Sequence, residues 1–368
     1  MTIGTEHEFS INDLQFNPLP VSDEILKTIC GRYASEILFG DVKLGKELQK
    51  TVLEMIPRSP AEDLALLEQQ LTRGVRKFHT MFRGRYQLLG LGMHPTMTLD
   101  QTAVWDHDEG EYYDLYNRLF DIRQHGWLNI QALQVNLSYE GEKDLVAAYN
   151  RIRSLLPYLI AITASSPMVE GSLKPAEDNR LLYYRRNQEA MPAICHGIIP
   201  PAIRRIRDYT DALDRIYGDL RSREAGILCE EWVNSAGIIV RFSRKCLEIK
   251  ALDEQECIHA DMAVCAFVRS LVRCRTLEVE TDQDALLSLT EEAILHGTSA
   301  FREDLERLYT AAWTHATPGE RLYLPLVKDR IENGSLAELM RERYEQSGSI
   351  LPVLADLAGA LRTNTPYH

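Results

Sequence analysis

The sequence predicts an α+β fold, with one antiparallel or mixed sheet and helices packed on its outer face. Three observations lead there. Two separated stretches, 3–11 and 129–139, follow the two-residue alternation of a half-buried strand. Long segments between and after them repeat apolar residues every three or four positions, the period of an amphipathic helix. The strands follow no regular β–α–β order, which argues against a parallel sheet. At 368 residues the chain is long enough for one large domain or two.

Taken in order, Ile3 to Ile11 reads as a strand. Ile3, Thr5, His7, Phe9 and Ile11 share one face; Gly4, Glu6, Glu8 and Ser10 share the other. His7, on the apolar side, reads as structural. Ser22 to Phe39 reads as a helix with Ser22 as N-cap and Ile25, Ile29, Tyr33 and Ile37 on one side. Leu48 to Ile56 is ambiguous; as a strand it puts Val52, Glu54 and Ile56 on one side. Pro60 to Met81 is a long amphipathic helix, and Gln87 to Met93 is strand-like until His94–Pro95 ends it. His94 reads either as near the site or as a capped turn. An acidic loop over 96–111 precedes a helix from Tyr112 to Arg123; Trp105 to Asp108 is either a substrate lid or a solvated loop.

Asn129 to Tyr139 is the second alternating strand. Leu133, Val135, Leu137 and Tyr139 line one face; Ala132, Gln134, Asn136 and Ser138 line the other. Asp144 to Ser165 is helical. Gly171 to Pro201 is polar, aromatic and proline-containing, and reads as a functional loop region. Helix resumes from Pro201 to Leu220, a hairpin follows (Gly237 to Phe242 and Cys246 to Asp253), and helices with turns near Gly297, Pro318 and Gly334 fill the rest beyond Ala260.

Composition narrows the function classes. The apolar fraction of 45% and charged fraction of 26% are ordinary for a globular protein. A net charge of -13 argues against a uniformly basic nucleic-acid surface, while a local phosphate pocket stays allowed. The opening MTIGTEHEF has no basic stretch or apolar core of an export signal. The most apolar segment, Leu155 to Val169, is too short to span a bilayer and contains Pro157 and Ser165–Ser166–Pro167. Seven cysteines, an odd number with no C-x-x-C pair, fit reduced thiols. The expectation is a cytoplasmic protein without nucleic-acid or membrane partners.

The polar strand faces carry the chemistry. Residues i and i+2 of a strand project on one side about 7 Å apart, so Glu6 pairs with Glu8, Gln134 with Asn136, and Glu248 with Lys250; Glu54 adds a carboxylate. Such oxygens are hard ligands that suit Mg²⁺ or Mn²⁺. No G-x-x-x-x-G-K-[ST], G-x-G-x-x-G or H-E-x-x-H is present.

TIGTEHEFSIND, LGMHP, NIQALQVNLSY, ASSPMVEG and RKCLEIKALDEQ follow one another over roughly residues 2–275. Together they resemble the glutamate–cysteine ligase family, in its carboxylate–amine ligase branch. The resemblance implies a glutamine-synthetase-like fold: a curved antiparallel sheet forming a funnel, with helices outside. It implies a catalytic domain over 1–275, with a helical region over 276–368 packed on it. It implies ATP- and Mg²⁺-dependent (or Mn²⁺-dependent) joining of a glutamate carboxylate to an amine through an acyl phosphate, in a homodimer. Matched by motif, Glu6, Glu8, Glu54, Asn136 and Glu248 become metal ligands, and Gln134, Asn136, Arg244 and Lys250 nucleotide-binding residues. Asn136 stands where some branches have His and others Asn.

Phosphoryl transfer also needs cationic side chains on the transferring group. Arg180, Arg185, Arg186, Arg241 and Arg244 are candidates; Arg185, Arg241, Arg244 and Lys250 are taken as catalytic. Lys250 departs from the Arg common in the family, and lysine lacks the planar bidentate contact. The segment Tyr184 to Gln188 differs from the best-known members, so the acceptor amine need not be cysteine. Two other readings stay open: a catalytically silent relative that binds a nucleotide or amino acid, and a phosphotransferase on the same fold. Four acidic residues retained at metal positions argue against the first.

Overall fold

The alternating N-terminal segment forms the centre of a sheet in the computed structural model, which describes residues 1–368. Strand β1 (Ile3–Asn12) is followed by α1 (Ser22–Cys30), a hairpin of β2 (Glu36–Phe39) and β3 (Val42–Lys46), and β4 (Val52–Pro57). Next come α2 (Leu64–Met81), β5 (Gln87–Leu89), α3 (Gly110–Phe120), the short α4 (His125–Leu128), β6 (Ala132–Ser138) and α5 (Glu142–Thr163). A two-stranded hairpin, β7 (Met168–Val169) and β8 (Ser172–Leu173), leads to α6 (Asn179–Tyr184) and α7 (Ile206–Ser222). The hairpin β9 (Ile238–Arg241) and β10 (Cys246–Asp253) precedes α8 (Ile258–Arg273), α9 (Gln283–His296), α10 (Arg302–His315), α11 (Leu324–Asn333), α12 (Leu336–Ser347) and α13 (Ile350–Thr363).

The large sheet is antiparallel throughout, in the order β2-β3-β4-β1-β6-β10-β9, with β5 pairing the end of β1. One face is apolar. Ile3, Phe9, Ile11, Val135, Leu137, Leu247 and Ile249 are buried in the main core, where α2, α5 and α8 pack on β4, β10 and β6. Burying each such side chain stabilises the fold by about 1.5–3 kcal/mol. That stabilisation fixes the strand register, since a one-residue slip would send every apolar side chain to the wrong face. The opposite face is therefore obliged to carry Glu6, Glu8, Glu54, Gln134, Asn136 and Glu248.

Residue 275 lies between α8 and α9. The main core crosses that point, containing Ile294, Leu305, Leu324, Ile331 and Leu361 together with the sheet residues. Helix α5 is buried along its second half and carries Pro157 inside it.

Two expected elements are corrected. The helix from Ser22 stops at Cys30 instead of reaching Phe39, and Val21, not Ser22, holds the N-cap position. Gly31 takes a left-handed backbone (φ 81°), and its N–H closes on the Lys27 carbonyl at 2.7 Å, a glycine C-cap. Beyond it, burial alternates along β2 (Ile37 and Phe39 in, Leu38 out), which is strand period. The strand expected over Gln87 to Met93 is only three residues long, Gln87–Leu89.

Candidate active site

Strand register assembles the site. Glu8 stands directly opposite Glu54 on β4, Glu6 opposite Gln134 on β6, and Asn136 opposite Glu248 on β10. Opposed residues of antiparallel strands project from the same face with Cβ atoms about 4.5–5.5 Å apart. Four strands thus bring the four sequence-identified carboxylates and both amides onto one face. On β3, Gly45 lies opposite Glu54. The Glu54 carboxylate leans over this glycine: a Cβ at Gly45 would lie 2.5 Å from Glu54 Oε2.

Each side chain is held by specific partners. Glu8 Oε2 accepts the Ala132 N–H and Oε1 accepts Gln134 Nε2–H, both at 2.8 Å. Glu6 Oε1 accepts Asn136 Nδ2–H at 3.1 Å and pairs with Arg244 Nη1. Glu248, 1% exposed, holds Arg241 Nη1 at 2.5 Å through Oε2; its Oε1 lies 3.7 Å from Lys250 Nζ with no hydrogen bond. Arg180, 1% exposed, donates from Nε to Asp253 at 2.5 Å and from Nη1 to the Lys250 carbonyl at 3.3 Å, while Nη2 has no partner. A register shift between Ile249 and Leu252 sets Lys250 at an irregular point of β10.

The face opens into two cavities. One, about 240 Å³, is lined by Glu8, Glu47, Gln134, Arg180 and Lys250 and walled by Tyr113, Tyr116, Trp127, Tyr184 and Trp232. The other, about 320 Å³, contains Glu6, Asn136, Arg244 and Cys246, with Lys43 and Arg58 at its border. The five expected metal ligands therefore share a face but not one cavity: Glu8 lines the first, Glu6 and Asn136 the second, and Glu54 and Glu248 line neither. Arg244 and Arg241 currently occupy the oxygens of Glu6 and Glu248. The acid–histidine groups whose ligand atoms do converge within 4.8 Å lie elsewhere: His7–Glu254–Asp261 and Asp23–Asp106–His107.

Burial controls the electrostatics, and neighbouring carboxylates add to it at Glu47 and Glu54. Burial, then the charges of Glu8 and Glu6, push Glu47 up from 4.5 to about 8. Burial, followed by Glu47, Glu6 and Glu8, raises Glu54 well above the carboxylate range. Glu8 is raised by burial despite its two hydrogen bonds. Lys250 feels burial, which alone would lower it, but the Glu248 charge prevails and raises it. A self-repelling set of oxygen donors with one buried, unpartnered oxygen on Glu248 fits hard divalent cations.

A pH dependence follows. With raised folded-state pKa values, Glu47 and Glu54 bind more protons folded than unfolded. The stability they contribute is fully present below 4.5 and is lost as pH rises toward the folded value, about 8 for Glu47. Metal-free protein is expected to show a falling Tm from pH 5 to pH 8, and saturating Mg²⁺ or Mn²⁺ to flatten that fall. Thermal unfolding in EDTA and in excess metal measures it; a Tm that rises with pH in EDTA contradicts it.

Other expected residues sit elsewhere. Arg185 caps α6 and pairs with Glu291 on α9, 3.2 Å from Nη2 to Oε1. It lines neither cavity. Arg185→Ala is expected to change kcat/KM less than about 3-fold and stability by at most about 1 kcal/mol, as for an exposed ion pair; steady-state kinetics and melting check this. His94 is in a capped turn, Nε2 2.7 Å from Asn12 Oδ1, with the Thr96 N–H on Nδ1. The Trp105–Asp108 loop is pinned: Trp105 is buried and bonded to Asp108, Lys50 holds Asp106 at 2.5 Å, and His107 lies 2.8 Å from Asp23.

Sequence reasoning missed Glu47 and the aromatic walls. Glu47 was legible in principle, because Lys43, Gly45 and Glu47 continue one polar parity along β3 and beyond. The aromatics come from α3, α4, the end of α6 and the turn Glu231–Val233, and no local period announces that they meet.

A sequence model of glutamate-cysteine ligase family 2 matches residues 2–356. An uncharacterized protein of Archaeoglobus fulgidus is 46% identical over 367 residues, covering 99% of this chain and 100% of that protein. A protein of Rubrobacter xylanophilus that bears the name "Putative glutamate--cysteine ligase 2-2" is 25% identical over 294 residues, 75% of this chain and 71% of that one. Among solved structures, a glutamate–cysteine ligase of Francisella tularensis in complex with AMP aligns with a TM-score of 0.67 at 12% identity, over 98% of this chain and 89% of that one. A bifunctional glutathione synthetase of Pasteurella multocida aligns with a TM-score of 0.68 at 13% identity over 99% of this chain. The chain spans about half, 52%, of that longer enzyme. These two likenesses show the fold, an antiparallel sheet with packed helices that is shared with those two structures. No helix is long and apolar enough to cross a membrane.

Proposed function

Because the chain belongs to glutamate-cysteine ligase family 2, we propose that it is an ATP-dependent carboxylate–amine ligase acting on the γ-carboxylate of glutamate or a similar acid. The acceptor is an amine such as cysteine, and the route runs through an acyl phosphate. The observation that carries this reading is the shared face of Glu6, Glu8, Glu54 and Glu248 with Lys250, Arg241 and Arg244 beside them. A solved protein of the same fold that binds AMP supports the nucleotide part.

A carboxylate is a poor electrophile until one oxygen is phosphorylated. Mg²⁺ or Mn²⁺, held by Glu6, Glu8, Glu54, Asn136 and Glu248 with Glu47 as a further candidate, would neutralise the charge of the ATP phosphates. Gln134 fixes the Glu8 carboxylate and Asn136 that of Glu6. Arg241 and Arg244, now tied to Glu248 and Glu6, stand where they can move onto a transferring phosphoryl group. Lys250 and the unpartnered Arg180 Nη2 offer positive charge to the acid substrate. The aromatic walls keep water from the activated acid, leaving the amine as nucleophile. Seven free cysteines fit a reducing, ATP-supplied compartment, so we place the protein in the cytoplasm.

The test is ADP release from glutamate and ATP–Mg²⁺, with and without a panel of amines that includes cysteine. ADP and free phosphate formed together with an amide support the ligase. ADP formed with a stable phosphorylated product and no free phosphate turns the reading to a phosphotransferase. Nucleotide binding without turnover across the panel turns it to a silent binding protein.

A further inference from the structure

His7, Glu254 and Asp261 meet behind the catalytic face, on the helix side of the sheet, with all three side chains 0% exposed. We propose that they form a second, structural metal site for a zinc-type divalent ion, separate from any cation on the carboxylate face.

The donor atoms are already spaced for it. His7 Nδ1 lies 3.2 Å from Glu254 Oε1 and 3.2 Å from Asp261 Oδ2. A tetrahedral ion with ligands at about 2.0–2.1 Å holds neighbouring donors roughly 3.3 Å apart. A direct charged hydrogen bond would draw them to about 2.7–2.9 Å.

The proton count points the same way. Without an ion, a single hydrogen on Nδ1 could serve only one of the two carboxylates that stand at equal distance from it. Asp261 is left fully buried with neither oxygen hydrogen-bonded, a costly state for a carboxylate. Neighbouring cations are engaged elsewhere: Arg330 with Glu256 at 2.6 Å, and Arg269 with Glu320 at 2.5 Å.

The surroundings suit ligation. His7 Nε2 lies 2.8 Å from Thr5 Oγ1; with the proton on Nε2, the tautomer a bound ion would require, the Nδ1 lone pair faces the carboxylates. Such an outer hydrogen bond is the usual companion of a metal-bound imidazole. Glu254 Oε2 accepts the Glu8 N–H at 3.2 Å, which leaves Oε1 for the ion. Asp261 can offer both oxygens, giving four donors in all. The site joins β1, the segment after β10 and the first turns of α8. An ion there would hold His7 inward and thereby keep Glu6 and Glu8, its neighbours, pointing out onto the other face.

A site this enclosed fills as the chain folds, so the ion is supplied during expression. Protein grown with added Zn²⁺ is dialysed against EDTA, and its metal is measured by mass spectrometry and X-ray absorption. The expected result is about one equivalent of Zn²⁺ per chain, with one imidazole nitrogen and carboxylate oxygens at about 2.0–2.2 Å. Asp261→Asn is expected to lose at least about ten-fold of that content, while Glu248→Gln, on the opposite face, retains it. Wild-type protein that emerges without bound transition metal overturns the proposal, as does an equivalent that persists in folded Asp261→Asn. If Asp261→Asn does not fold, the wild-type stoichiometry and coordination spectrum decide alone.

Discussion

Glu54→Gln is expected to lower kcat/KM by at least about 100-fold, since even outer partners of metal ligands typically contribute 10–100-fold. It is expected to do so without destabilising the metal-free protein. Glu54 is half-buried beside Glu47, Glu6 and Glu8, and its desolvation with those charges raises it well above the carboxylate range. In the absence of a cation its ionised form works against folding. Glutamine keeps the shape and removes the charge, so metal-free Glu54→Gln should melt no lower than wild type at pH 8. The Tm gain from Mg²⁺–ATP should shrink, because that gain tracks ligand binding to the folded state. Activity lost with stability kept is the signature of a residue retained for function. Near-normal kinetics in Glu54→Gln would remove it from the site.

Lys250→Met is expected to lose about 2–4 kcal/mol of transition-state stabilisation, or roughly 30- to 1000-fold in kcat/KM, as for one preorganised donor. Lys250 lines the cavity that holds Glu8 and Glu47, and its ammonium stands 3.7 Å from a Glu248 oxygen that has no hydrogen bond. Arg180 braces the Lys250 carbonyl. Methionine preserves the aliphatic stem and removes only the charge. Lys250→Arg is expected to recover part of the loss, since it restores the charge with a bulkier, planar head. Wild-type kinetics in Lys250→Met would make the lysine structural.

The catalytic face was legible because its strands obey a period of two. In β1, β6 and β10 the apolar residues fall on one parity (Ile3, Phe9 and Ile11; Leu133, Val135 and Leu137; Leu247 and Ile249), so Glu6, Glu8, Gln134, Asn136 and Glu248 declared their side without any knowledge of pairing. The β2–β3 hairpin was not, because Ile25, Ile29, Tyr33 and Ile37 also satisfy a helical spacing and only the left-handed Gly31 breaks it. Glu47 was lost with that hairpin. Arg180 and Arg185 show another limit. They lie five residues apart around α6, yet one turns into the sheet toward Asp253 and the other outward to Glu291. Such a division depends on what α6 packs against, which its own six residues do not encode. His7 was assigned to the interior from its face alone; its two acidic partners come from distant residues 254 and 261.

Oxygen transfer from the acid to phosphate tests the ligase reading most directly. Glutamate labelled with ¹⁸O in its γ-carboxylate is incubated with ATP, Mg²⁺ and the amine that supports turnover, and the released phosphate is analysed by mass spectrometry. An acyl phosphate leaves one carboxylate oxygen on the phosphorus when the amine attacks carbon. The account predicts one ¹⁸O in phosphate for each amide formed. Unlabelled phosphate accompanying amide formation would contradict it.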